Sequence, residues 1–87
     1  SMRAWARLQQ GRALVRAGDE ALASTALERL VAEAPGDTAA AEGAWLLADR
    51  AAAAGREEER RRWADWLAER HAASPWAARA GFEAILV

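Results

Sequence analysis

The 87-residue sequence has no cysteine, lysine, asparagine or tyrosine, and holds only two prolines and one histidine. Without cysteine there is no disulfide framework and no thiolate metal site, and redox chemistry gives no reading of compartment. His71 alone cannot supply the nitrogen ligands of a zinc site. Nor does it form a nucleophilic triad, because Ser24, Thr25, Thr38 and Ser74 fall at helix starts or on helix faces with no base beside them. Its expected role is an interhelical or surface imidazole. The six glycines are scattered singly, which excludes a loop that cradles phosphate. No apolar run approaches the roughly 18 residues that a membrane span needs, and no signal-peptide pattern precedes the domain. Neither charge sign dominates: 12 basic and 13 acidic residues leave a net charge of −1, unlike the basic balance of nucleic-acid binders. The chain is therefore expected to act without catalysis, metal, cofactor, nucleic acid or membrane insertion.

What is present is alanine, 26 residues of it, against nine leucines, three valines and one isoleucine. Alanine is the best helix former and β-branched residues are scarce, so the composition predicts helix nearly throughout. Small side chains let helices approach closely, which leaves the five tryptophans to supply much of the buried volume. All twelve basic residues are arginine; that choice, with the alanine, matches the coding bias of a GC-rich bacterial genome, in cytoplasm or periplasm. Ser1-Met2 reads as a tag-removal scar before a start codon, which leaves open that the natural chain extends past either end.

Breakers divide the chain into five helical segments within one domain, 1–87. Trp5, Leu8, Leu14 and Val15 recur at helical spacing up to Gly18, a residue suited to the left-handed stop. Asp19 caps a second helix with Leu22, Ala26, Leu27, Leu30 and Val31 on one side, and Pro35-Gly36 ends it. Asp37 is the next cap, for a helix reaching about Ala54 and stopped by Gly55. That helix has two apolar faces: Ala41, Ala44, Trp45, Ala48 and Ala52 on one, Leu47, Ala51 and Ala54 on the other. It is expected to lie between neighbours. A fourth helix opens with the charged run 56–62 and continues through Trp63, Trp66 and Leu67. Ser74-Pro75 starts the fifth, a hydroxyl cap followed by proline at the first helical position.

Connections of two to four residues make successive helices antiparallel. A shift of 37 residues then lays Ala17-Gly18 on Ala54-Gly55, Leu30 on Leu67, Asp37 on Ser74 and Ala40 on Ala77, while Leu8, Trp45 and Phe82 form a threefold series. A fixed period with two helices per unit predicts an all-α solenoid. Gly11, Ala13, Leu14, Gly18-Asp19, Ala23, Leu27 and Pro35 keep the spacing of the tetratricopeptide motif, and the chain resembles that family over nearly its whole length. Arg7 stands where the motif places an aromatic. In the second unit Leu47, Ala48, Gly55 and Leu67 fit, but Arg60 takes a normally small position and Ala72 replaces the proline. The 37-residue unit is a long variant of the usual ~34. The stretch 73–77 also resembles repeat junctions of bacterial envelope proteins, the Tol–Pal coordinator and outer-membrane assembly lipoproteins among them, and the superhelical domains of soluble lytic transglycosylases. The resemblance implies a short right-handed α-solenoid of antiparallel helix–turn–helix repeats, about five helices long, that binds protein.

The charged segments read as solvated surface. Glu57, Glu58 and Glu59 suit the positive end of a helix, with Glu57–Arg61 and Glu58–Arg62 pairs expected. Arg60, Arg61 and Arg62 beside Trp63 and Trp66 would suit stacked bases, but the preceding acids dilute the field, and core packing is the expectation for the two indoles. In the tetratricopeptide family the first helix of each pair lines a groove for a peptide or helix. Carried over by register, the groove residues are Trp5, Gln9, Arg12 and Arg16, then Glu42, Trp45 and Asp49, then Arg79 and Phe82. Arg12 with Asp49, and Glu42 with Arg79, stand one period apart and are expected to bridge adjacent helices. The family's lysine and asparagine clamp for a terminal carboxylate is absent. Ile85, Leu86 and Val87 crowd the last helix, whose second half-unit is missing, so that end is expected to dock on a second copy, a partner or further chain. The alternative to a binding module is a structural segment of a larger enzyme such as a lytic transglycosylase, or a homo-oligomerisation domain.

Overall fold

In a computed structural model of the chain, which describes the backbone of residues 1–86 and the side chains of residues 1–81, Gly18 and Gly55 take φ of 79° and 77°. Left-handed backbone of this kind is open to glycine at no steric cost. Gly18 and Asp19 donate to the carbonyls of Val15 and Leu14 at 3.1 and 3.0 Å; Gly55 and Arg56 donate to Ala52 and Ala51 at 3.1 and 2.8 Å. The same pair of closing bonds therefore recurs 37 residues later. Between these stops lie α1 (Met2–Ala17), α2 (Glu20–Glu33), α3 (Thr38–Ala53), α4 (Glu57–Arg70) and α5 (Pro75–Leu86), with no strand among the described residues. Both bounds of α2 recur at the same offset in α4, as does the start of α3 in α5. The residues that follow α2 and α4, Ala34 and His71, share a φ of −137°.

The predicted caps form. Asp19 accepts from the Leu22 N–H at 3.2 Å, Asp37 from Ala39 at 2.9 Å, and the Ser74 hydroxyl from Trp76 at 3.1 Å. Helix α4 has no side-chain cap and instead carries three glutamates in its first turn, where the helix dipole favours them. The expected i,i+4 pairs of that turn are replaced by i,i+3 pairs. Arg60 Nε donates to both Glu57 carboxylate oxygens at 3.0 Å, and Arg56 meets Glu59 at 3.6 Å. The reason is that Arg60 is not in the solvated run at all. It is only 7% exposed and turns inward at the place that Ala23 fills one period earlier.

Helices α1, α3 and α5 touch one another in order, while α2 packs on α1 and α3, and α4 on α3 and α5; α2 and α4 do not meet. The result is two layers, three helices over two, with extents of 32 × 27 × 16 Å. Leu8, Leu27, Leu30, Leu47 and Leu67 are fully buried between the layers, with Ala40, Ala44 and Ala51 filling the close approaches. A methyl group at Gly11 would stand 2.5 Å from Leu27 Cδ2, and one at Gly43 would stand 2.9 Å from Leu30 Cδ2. Two glycines thus let α1 and α3 close onto α2.

Four apolar assignments shift. Leu22 is 56% exposed rather than inside. It lies about 100° around the helix from the centre of the stripe formed by Ala23, Ala26, Leu27, Leu30 and Val31. Helix α3 is indeed buried on two sides, but Ala52 and Ala54, at its end, are solvent-exposed, and Trp45 is only half-buried. The side chains of Phe82, Ile85 and Leu86, and all of Val87, lie outside the described residues.

Candidate functional site

The layer of odd-numbered helices carries an aromatic cluster. The Ser74 cap fixes the first turn of α5 so that Trp76, its second residue, comes down on Trp45 of α3, with ring centroids 5.1 Å apart and planes tilted by 38°. Arg79 follows three residues later on the same side of α5. Its guanidinium carbon stands 4.2 Å from the Trp45 centroid and 5.8 Å from that of Trp76. A cation this close to an indole face is held by the ring quadrupole. Trp5 of α1 stands free of this stack and is 56% exposed. Between them is a hollow of about 280 Å³, lined by Trp5, Leu8, Thr38, Glu42 and Trp76.

Polar groups frame it. Arg12 Nη1 reaches Glu42 at 3.4 Å, tying α1 to α3. Asp37 caps α3 and pairs with the terminal ammonium of Ser1. Its carboxyl is held below the ordinary value of 3.8, first by the hydrogen bond from that ammonium and then by the Ala39 N–H, with the His71 charge adding to them. Among the described residues no group of three or more histidine, aspartate or glutamate side chains is placed to hold a metal ion. His71, just past the end of α4, has its Nε2 2.7 Å from the carbonyl of Pro35 in the turn after α2, an exposed contact between the two units. No described helix is long and apolar enough to cross a membrane.

The sequence-derived groove residues thus divide. Trp5, Arg12, Glu42, Trp45 and Arg79 share this face; Gln9 is half-buried and Arg16 exposed along α1. Asp49 does not join them. It lines a separate hollow with Glu20, Ser24, Arg50 and Arg56, where Arg50 pairs with Glu20. Arg12 therefore pairs with Glu42 and not with Asp49. Helical side chains lean toward the N-terminus of their own helix, so a long one reaches a neighbour's earlier turns. Trp76 was missed from the sequence, although its i,i+3 relation to Arg79 places both on one side of α5. On the other layer Trp63 and Trp66 are half-buried and packed edge to face, centroids 6.3 Å apart at 69°. They lie against the core without being inside it.

No family model, curated protein or solved structure matches the chain, so its own residues carry the functional reading.

Proposed function

We propose that this chain is a non-catalytic protein-binding module, a short right-handed solenoid of tetratricopeptide-like units, whose α1–α3–α5 face receives a peptide or helix of a partner. The observation that carries the reading is Trp5: a large indole, 56% in water, beside a hollow that Trp76 also lines, the ring that packs on Trp45 beside Arg79. Tryptophan and arginine are the side chains most often responsible for binding energy at interfaces, because they bury much area at low entropic cost. The two-layer arrangement and the recurrence of caps and helix bounds at 37 residues support the repeat reading. The face offers apolar surface, one stacked guanidinium and two ion pairs, a set suited to an amphipathic segment rather than to a reacting group.

The test is capture of partners by cross-linking with the intact natural protein, compared with Trp5→Ala and with the double change Arg12→Glu, Arg16→Glu. Removing an indole anchor typically costs ~2 kcal/mol or more of binding, so the Trp5 variant should retain roughly a thirtieth of the affinity. Equal capture by all three proteins would move the binding surface elsewhere.

A further inference from the structure

Where α2 and α4 fail to meet, the opposite layer is split by an open groove of about 570 Å³. Val31 and Ala32 of α2 form one wall, Trp63 and Trp66 of α4 the other. The two indoles stand at 69° to each other, so they present a corner rather than a flat floor. Three carboxylates, those of Glu28, Asp65 and Glu69, stand on the rim, all on exposed residues and none in an ion pair among the described residues. Arg62 and Arg70 share the rim. Arg70 is already placed on Trp66, its guanidinium carbon 5.6 Å from the ring centroid, and His71 lies 5.5 Å from the same ring. The chain thus shows that a guanidinium lodges on this aromatic pair, and the ring that Arg70 takes is Trp66, not Trp63.

We infer that the α2–α4 groove is a second docking site, separate from the α1–α3–α5 face, that takes a basic segment of a partner protein and seats one of its arginine or lysine side chains against Trp63. The chemistry is complementary in each part. The alkyl stem of such a side chain suits the apolar wall at Val31 and Ala32, as long cationic side chains lie along apolar surface with the charge held out. The charge meets an indole face, which attracts cations, and three carboxylates that outnumber the two rim arginines and form no ion pair among the described residues. An open groove of this volume accepts a side chain still attached to a peptide, which a closed cage for a small ammonium ion would not. An acidic segment would meet three like charges against two arginines on the rim, and a purely apolar one would bury carboxylates that form no ion pair among the described residues.

The test is titration of the ¹⁵N-labelled full chain with a capped arginine–alanine peptide, with glutamate–alanine and leucine–serine peptides as controls. The basic peptide should shift the indole N–H signals of Trp63 and Trp66 saturably and leave that of Trp5 in place. Raising the salt to half-molar should weaken it. The double change Glu28→Gln, Glu69→Gln, on exposed residues, should weaken it roughly three- to tenfold without altering the melting temperature. Trp63→Leu should abolish it; the glutamine variant keeps the test valid if that change unfolds the chain. Absence of any shift at millimolar peptide, equal response to the controls, or unchanged affinity in the glutamine variant would overturn the inference. Shifts of Trp63 and Trp66 with protein concentration alone would overturn it too, by assigning the groove to a second copy.

Discussion

At the scale of single residues, Gly11 and Gly18 are required for opposite reasons. Gly11 is a matter of space: any side chain there meets Leu27, which is itself fully buried. Gly11→Leu should cost ~1–3 kcal/mol through overpacking and lower Tm by roughly 5–20 °C in a domain this small. Gly18 has nothing within 4 Å of the missing Cβ, and only its φ of 79° matters. Gly18→Ala should therefore cost ~1–2 kcal/mol of backbone strain, with Gly18→Asn recovering part of it because asparagine tolerates that conformation. Circular dichroism melts check both. Asp37, paired with the ammonium of Ser1 in the chain as given, is one of two carboxylates, with Glu57, that give a pH dependence. Its folded pKa is depressed, so the stability it contributes is complete above the unfolded value and is lost as pH falls through the lowered folded value. Below about pH 4 the melting temperature of Asp37→Asn should fall less steeply than that of the wild type, because the amide still caps Ala39 but does not titrate. The Gly11 contact was legible through the resemblance alone, since the tetratricopeptide motif puts glycine or alanine where two helices approach closely. The inward turn of Arg60 was half-legible: the register put it on a small, buried position, while composition put it in a charged run, and burial with a glutamate partner satisfied both.

At the scale of elements, the helix bounds were the most legible feature, since glycine, proline and the capping residues Asp19, Asp37 and Ser74 act locally and need no tertiary context. Pairing between helices was not legible. One-period register suggested Arg12 with Asp49, but side-chain lean and the tilt of neighbouring helices decide such contacts, and the sequence encodes neither. Helix α5 combines a local start with a tertiary contact. Its start is fixed by the Ser74 hydroxyl, and its Trp76 covers Trp45. Ser74→Ala should cost ~0.5–2 kcal/mol through the lost cap. Ending the chain before Pro75 should uncover Trp45, not Trp63 or Trp66, which lie on the other layer. Placing a single tryptophan in turn at each position and reading emission would show a red shift at position 45 alone on truncation. A red shift at 63 would mean that α5 covers the α4 indoles and does not pack on Trp45 alone.

At the scale of the whole molecule, two layers of helices leave two unlike surfaces. The α1–α3–α5 side holds a packed aromatic stack with one indole free, and the α2–α4 side an open groove with an acidic rim. An alanine-rich core explains why both survive in so small a chain: close helix approach fills the interior with leucine and alanine, so the tryptophans remain partly at the surface. Composition alone suggested the reverse, with indoles supplying core volume, because it says how much bulk is available and not where it goes. The most direct measurement of the central claim is site-specific photocross-linking from the native protein in its own cells. A photoreactive residue would replace Gln9 or Arg16 in turn, leaving Trp5 in place, with Thr25 of α2, on the opposite layer, as control. The account predicts one discrete cross-linked partner shared by the two α1 positions and absent from position 25. The same partner from position 25 and none from α1 would contradict it.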